Sequence, residues 1–157
     1  MRRIASFSVN HDLLDKGMYV SRIDGDVVTY DIRMKRPNGG DYLDNAVIHS
    51  FEHLFATVAR NGAYADNILY IGPMGCRTGF YLLTRGLSHA QALELARKSF
   101  SAMAAYSGPL PGAERIECGN YKEHDLFGAV ALAREMAEVL KNWTEADMAY
   151  AQAQGGV

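Results

Sequence analysis

The chain of 157 residues has the length of one ordinary domain and the composition of a folded globular protein. Hydrophobic residues make up 48% and charged residues 22% of it, which excludes wholesale disorder. Because 16 Lys and Arg stand against 18 Asp and Glu, the formal net charge is -2, and there is no basic excess for binding nucleic acid. No apolar run approaches the roughly 20 residues of a membrane span.

The N-terminal segment and the cysteines bear on the cellular compartment. Arg2 and Arg3 are not followed by an apolar stretch, which argues against a signal peptide. We therefore expect Cys76 and Cys118 to be free thiols or metal ligands rather than a disulfide. Together these features predict a single cytoplasmic domain, residues 1–157, without a membrane or nucleic-acid partner.

The first third of the chain predicts strands. Apolar and polar side chains alternate over residues 27–34, as expected for a strand with one buried face. The apolar face would carry Val28, Tyr30, Ile32 and Met34. Asp24 and Gly25 predict a hairpin turn between this strand and residues 18–23, and the PNGG sequence at 37–40 would end the sheet.

Helical and extended patterns follow each other downstream without a regular βαβ order. Helical periodicity covers residues 44–61, a segment capped by Ser88, residues 126–140 and a short terminal helix opened by Thr144. Extended segments are predicted at residues 68–71, 80–84 and 114–118. This arrangement predicts an α+β fold in which an antiparallel sheet packs against helices.

The most informative motif is HSFEH at residues 49–53. On a helix, His49 and His53 share a face, so both imidazoles can approach one metal ion. Glu52 projects to nearly the same side and could act as a general base, as in helix-borne zinc-hydrolase motifs. The alternative is a pair of partly exposed histidines, one of them paired with Glu52. Three ionisable groups on an apolar helix cost several kcal/mol unless a partner such as a metal satisfies them.

Two histidines need a further ligand, because a catalytic site keeps about three protein ligands and one open position. The candidates are Cys118, Cys76, His11, His89, His124 and a carboxylate. Cys118 ends a predicted strand, whereas Cys76 lies in a glycine-flanked turn where Arg77 and backbone N–H groups would favour the thiolate. Either cysteine could instead be a small buried apolar residue, and the residues alone leave the choice open.

Several segments taken together resemble the S-ribosylhomocysteine lyase (LuxS) family. They read HSFEHLFA at 49–56, GPMGCRTGFY at 72–81, CGNY at 118–121 and HDL at 124–126. The N-terminal segment with Ser6 and His11, and YDIR at residues 30–33, also match in order and spacing. The resemblance runs over nearly the whole chain and is far more specific than the histidine motif alone.

The resemblance implies a homodimer with two active sites at the subunit interface. The implied metal ligands are His49, His53 and Cys118. Glu52 and Cys76 would be the two acid–base groups. The implied substrate-pocket residues are Ser6, His11 and Arg33. One divalent ion per subunit is implied, natively Fe²⁺, with Zn²⁺ or Co²⁺ as substitutes.

The implied reaction converts S-ribosylhomocysteine to homocysteine and 4,5-dihydroxy-2,3-pentanedione, the precursor of autoinducer-2 in quorum sensing. Moving the sugar carbonyl from C1 to C2 and then to C3 acidifies the neighbouring hydrogen, after which the thiolate leaves by β-elimination. Each shift passes through an enediolate, whose charge a divalent ion with an open position can stabilise. The same reaction would recycle homocysteine in the methyl cycle.

Other interpretations of the motifs remain. A metal-dependent hydrolase of the peptidase or deformylase type would use Glu52 to activate a metal-bound water and would need no second cysteine. A structural metal site would have four protein ligands and no exchangeable position. His124 and Asp125 could orient a metal ligand or cap a helix.

Overall fold

The computed structural model describes residues 4–151, and its sheet consists of two hairpins side by side. The described strands are β1 (Gly17–Asp24), β2 (Val27–Arg33), β3 (Ile68–Pro73) and β4 (Gly79–Arg85). They lie in the order β1-β2-β4-β3, and every neighbouring pair is antiparallel. The predicted hairpin at Asp24 and Gly25 is confirmed, because Gly25 has the positive φ of 63° that the tight turn requires.

Helices cover one face of this sheet. The α-helices in residues 4–151 are α1 (Asn45–Arg60), α2 (His89–Ala104) and α3 (Leu126–Leu140). Each begins at a side-chain cap, and Ser88 forms the predicted capping box with Gln91. The predicted terminal helix is a short 3-10 turn, Glu145–Met148. Within the described range, no helix has both the length and the hydrophobicity that crossing a membrane requires.

The core lies between α1 and the sheet. The aromatic rings of Phe51 and Phe55 on α1 pack against Phe80 of β4 and Phe100 of α2 at centroid distances of 5.0 to 5.7 Å. The predicted apolar face of β2 joins this core and is buried along its length, namely Val28, Tyr30, Ile32 and Met34. The α+β fold predicted from the sequence is therefore confirmed, and it fixes one side of α1 against the sheet.

The predicted strand at residues 114–118 is wrong. This segment folds as a turn in which Glu114 O accepts hydrogen bonds from Glu117 N at 2.9 Å and Cys118 N at 3.0 Å. Ile116 is 95% exposed, whereas an apolar residue of a paired strand would be covered on one face. Because the turn satisfies its own backbone groups, it needs no neighbouring strand and can present Cys118 to α1.

Candidate metal centre

Four potential metal ligands converge on the exposed side of α1. They are His49, His53, Cys118 and His124, whose ligand atoms all lie within 4.8 Å of one another. The two α1 imidazoles sit one turn apart, with ring centroids separated by 4.8 Å, as their spacing predicts. The Cys118 Sγ atom lies 3.3 Å from His49 Nε2, so the structure brings this cysteine, rather than Cys76, to the histidine pair.

Two backbone carbonyls orient the α1 histidines. His49 Nδ1 donates to Glu123 O at 2.8 Å, and His53 Nδ1 donates to Pro111 O at 3.0 Å. Because a carbonyl oxygen can only accept, each ring carries its proton on Nδ1 and leaves the Nε2 lone pair free for a metal. Gly112 makes this approach possible, since its φ is 66° and a Cβ there would lie 3.2 Å from His53 Nδ1.

The donor set fits a divalent transition-metal ion. Two neutral imidazoles and a thiolate suit Zn²⁺ or Fe²⁺, and a half-buried position shields them from bulk water. Asn120 N donates to Cys118 Sγ at 3.4 Å, so the backbone supplies a hydrogen-bond donor to the sulfur that would face the metal. The orientation of the donors therefore supports a metal centre on α1.

His124 is the member of this cluster that sequence reasoning left undecided. Its Nε2 lies 3.8 Å from Cys118 Sγ, and its Nδ1 lies 3.2 Å from Ser50 Oγ. Burial, together with the neighbouring His49 and His53, lowers the pKa of His124 below its ordinary value. A turn, rather than a helix or a strand, joins His124 to Cys118, so no periodic pattern of the sequence relates the two residues.

Glu52 lies beside the histidines on α1 with its carboxylate unengaged. The side chain is half-buried, and within the described residues no hydrogen bond or ion pair is formed by it. A carboxylate placed next to a metal centre without a fixed partner is free to accept and return a proton. Its position on the helix is the one that the motif predicts.

Cys76 belongs to a second group of polar residues, built at the junction of β2 and β4. Its Sγ lies 3.0 Å from Thr78 Oγ1 and 4.0 Å from Arg33 Nη1. Arg33 also donates to Thr78 Oγ1 at 2.6 Å, so the hydroxyl bridges the guanidinium and the thiol. The thiol side chain itself is exposed.

The cation beside Cys76 is Arg33, and the expectation that Arg77 would have this role is wrong. Arg77 turns away, because its Nη1 donates to Leu43 O at 3.3 Å and its guanidinium lies over the Tyr42 ring. Register explains the difference: Arg33 pairs with Gly79 across β2 and β4, which brings it to the turn that carries Cys76.

A buried ion pair fixes Arg33. Arg33 and Asp31 are 3% and 2% exposed, and their closest atoms, Nη2 and Oδ2, are 2.6 Å apart. Tyr150 donates its hydroxyl to the same Asp31 oxygen at 2.8 Å and stacks on Tyr19. Burial, followed by the charge of Asp31, raises the pKa of Tyr150 above its ordinary value, which keeps it a neutral donor. The alternation of β2 could have indicated the Asp31–Arg33 pair, but no local signal indicates Tyr150.

We expect Tyr150→Phe to lower the free energy of unfolding by about 1.5–3 kcal/mol, because a buried carboxylate loses a hydrogen bond. Urea unfolding followed by circular dichroism measures this loss. Tyr64→Phe is the matched control, since its hydroxyl donates to Glu94, a partly exposed carboxylate that also pairs with Lys98, and should matter much less. Equal midpoints for the Tyr150 variant and the parent chain would contradict the expectation.

The remaining predicted pocket residues lie near the N-terminus. His11 is half-buried, and its Nδ1 donates to Val9 O at 3.0 Å, a local contact at the start of the 3-10 turn His11–Leu13. The structure does not place it in the metal cluster or in the Cys76 group. The side chain of Ser6 lies outside the described residues, so its predicted role is untested.

The fold and this site define an α+β protein with a His–Cys metal centre of the kind that metal-dependent enzymes use. The family model for S-ribosylhomocysteinase (LuxS) matches residues 4–147. A protein named S-ribosylhomocysteine lyase from Borreliella afzelii (strain PKo) is 44% identical to this chain over 156 residues. The alignment covers 96% of this chain and 99% of the relative. One of the same name from Clostridium beijerinckii is 45% identical over 157 residues with the same coverage. The chain belongs to the S-ribosylhomocysteine lyase family, and it is an enzyme of the carbon–sulfur lyase class.

Proposed function

We propose that this enzyme cleaves S-ribosylhomocysteine to homocysteine and 4,5-dihydroxy-2,3-pentanedione by two carbonyl shifts and a β-elimination. The observation that carries the proposal is the meeting of His49, His53 and Cys118 beside the unengaged carboxylate of Glu52. Relatives that share more than two-fifths of the sequence carry the name of this activity. The second product is the precursor of autoinducer-2, which links the enzyme to quorum sensing and to the methyl cycle.

His49, His53 and Cys118 are the proposed metal ligands, with Fe²⁺ as the native ion and Zn²⁺ or Co²⁺ as substitutes. The Nδ1 hydrogen bonds to backbone carbonyls leave Nε2 of both rings available to a metal, and Nε2 of His49 faces the sulfur, which supports this ligand set. When bound, a divalent ion supplies the Lewis acidity that stabilises negative charge on the oxygens of the sugar. Neutral imidazoles offset little of the ion's charge, so this acidity is retained.

Cys76 and Glu52 are the proposed acid–base groups. As thiolate, Cys76 would remove the proton from the carbon next to the carbonyl and return it one carbon along, and Arg33 would stabilise its charge. Glu52 would remove the proton whose loss expels homocysteine as its thiolate and would serve the hydroxyl groups. Arg33, together with Ser6 and His11, would hold the sugar.

The separation of the Cys76 group from the histidine cluster favours a homodimer with shared active sites. Tyr30 and Ile32 of β2 face the core on which α1 packs, so Asp31 and Arg33 belong to the opposite face of the sheet. No hydrogen bond described for the Cys76 group reaches the histidine cluster. A second copy could bring its own Arg33 and Cys76 to the metal centre of the first.

Exposed apolar residues support the same assembly. Ile116, two residues before Cys118, and Phe127, three residues after His124, are 95% and 87% exposed. On the outer face of the sheet, Tyr70, Tyr81 and Leu83 line an open apolar groove. Large apolar side chains exposed beside catalytic groups are typical of surfaces that a partner covers. A cytoplasmic location is part of the proposal, because the thiols of Cys76 and Cys118 are both free.

The test is release of thiol from S-ribosylhomocysteine by the purified chain loaded with Fe²⁺ or Co²⁺, read with a colorimetric thiol reagent. We expect catalytic turnover that stops when a chelator removes the metal and returns when Co²⁺ is added back. A chain that holds one metal ion but releases no thiol above the protein-free rate would overturn the proposed function.

A further inference from the structure

The metal centre contains one potential ligand more than an open catalytic site needs. Three imidazoles and a thiolate would complete a tetrahedral shell and leave no position for a sugar oxygen. We propose that His124 is not a metal ligand but a positioning residue, which donates its Nε2–H to the Cys118 thiolate. This inference rests on the proposed three-ligand site and assigns His124 the task of keeping that site open.

The first argument concerns which nitrogen of His124 carries a proton. The described residues give Ser50 Oγ two hydrogen-bond partners, Asp125 N at 2.8 Å and His124 Nδ1 at 3.2 Å. The Asp125 amide can only donate, and Ser50 is fully buried away from water, so among the described partners His124 Nδ1 is the acceptor available to the hydroxyl proton. The proton of a neutral His124 ring is then on Nε2, which points to Cys118 Sγ at 3.8 Å.

His124 therefore differs from the two α1 histidines in a way that decides the ligand set. The partners of His49 and His53 are carbonyl oxygens, which hold the ring proton on Nδ1 and free Nε2. The partner of His124 is the Ser50 hydroxyl, which can donate to Nδ1 and thereby hold the ring proton on Nε2. An Nε2 that carries a proton has no lone pair for a metal but can donate to sulfur.

The second argument comes from the ring positions, and only its last step uses the protonation of the rings. When two imidazoles bind one tetrahedral ion through Nε2, each ring centre lies about 3 Å from it, and the centres lie about 5 Å apart. The His49–His53 and His53–His124 pairs have centroid distances of 4.8 and 5.0 Å. The His49 and His124 rings instead stack at 4.0 Å and 26°, too close for both to be ligands. Since His49 is held by a carbonyl, His124 is the ring that is excluded.

The consequence is a metal site with an open position and with hydrogen bonds that modify its thiolate ligand. Cys118 Sγ would accept hydrogen bonds from both Asn120 N–H and His124 Nε2–H. Such bonds withdraw electron density from a thiolate and so preserve the Lewis acidity of the ion that it binds. The stacked His124 ring also covers His49 and fixes its orientation.

The tautomers can be measured directly in the parent chain loaded with Zn²⁺. Long-range nitrogen-15 to proton correlation of the imidazoles distinguishes a protonated ring nitrogen from a bare one. We expect His49 and His53 to carry their proton on Nδ1 and His124 to carry its proton on Nε2. A His124 ring with a bare, metal-shifted Nε2 would overturn the proposal.

Variants loaded with Co²⁺ give a second readout through the sulfur-to-cobalt charge-transfer band. His124→Ala should still bind one Co²⁺, about tenfold or more weakly, and its band should move to lower energy because the sulfur has lost a hydrogen bond. His124→Gln, whose amide can donate, should restore much of the band position. His89→Ala is the matched control, because that ring contacts Tyr30, away from the centre.

Each result bears on one of the two proposals. Loss of the cobalt from His124→Gln, or an unshifted band in His124→Ala, would contradict the role of His124. Failure of the parent chain to release thiol, with the expected tautomers and spectra, would instead contradict the lyase function. A parent chain that binds no Co²⁺ would overturn the three-ligand site and this inference with it.

Discussion

Cys76→Ala is expected to lower thiol release from S-ribosylhomocysteine by at least about a hundredfold while one metal ion remains bound. The thiol lies beside Arg33 and Thr78 and forms no contact with the histidine cluster in the structure, so its removal should leave the ligands in place. The carbonyl shifts would lose the base that moves their protons. Steady-state rates with the thiol reagent, together with metal analysis of the same sample, measure both quantities.

The contrast with Cys118→Ala makes this prediction specific. Both substitutions remove one thiol, but only Cys118 lies within 3.3 Å of a histidine nitrogen, so its variant should lose the metal as well as the activity. A hydrolase that uses Glu52 and a metal-bound water would not need Cys76. Near-normal turnover by Cys76→Ala would therefore remove the thiol from the mechanism and favour that alternative.

Local patterns were sufficient to predict most of the fold. The alternation over residues 27–34 predicted which side chains of β2 enter the core, because a two-residue period is imposed by the strand itself. The predicted helices at 44–61 and 126–140 agree with α1 and α3 to within a residue at each end. Asp44, Ser88 and Asp125 mark the starts through side-chain caps, which are local chemistry.

The segment at residues 114–118 shows where local patterns fail. A few residues of mixed polarity fit a strand or a turn equally well, and the choice depends on whether a neighbouring strand is available. Here the turn forms its own hydrogen bonds to Glu114 O and delivers Cys118 to α1. The histidine pair could be predicted from its spacing, but the sulfur that joins it could be chosen only through family resemblance or the fold.

The contacts around Cys76 could not be predicted from local sequence, because they depend on how distant strands pair. Arg77 is adjacent in sequence, whereas Arg33 is 43 residues away and reaches the thiol through the pairing of β2 with β4. Tyr150, 119 residues from Asp31, completes the buried ion pair from the other end of the chain. Contacts of this kind depend on how elements meet, which periodicity does not describe.

Glu52→Gln is expected to retain the metal and to lower the rate of homocysteine release by about 10²- to 10⁴-fold, because an amide cannot accept the proton of the elimination step. The substitution keeps the size of the side chain, and Glu52 has no hydrogen bond in the described structure whose loss would disturb α1. The ligands His49 and His53 are oriented by Glu123 and Pro111 carbonyls, which the variant leaves intact.

A stalled Glu52 variant should differ from an inactive Cys76 variant in what it accumulates. Because Cys76 is the proposed base for the first carbon-bound proton, exchange of that hydrogen with deuterated water should continue in the Glu52 variant without thiol release. Glu94→Gln on α2 is the matched control, because that carboxylate is engaged with Lys98 and Tyr64 away from the metal centre. Normal thiol release by Glu52→Gln would exclude this carboxylate as a base, whereas loss of deuterium exchange together with thiol release would move its action to an earlier proton transfer.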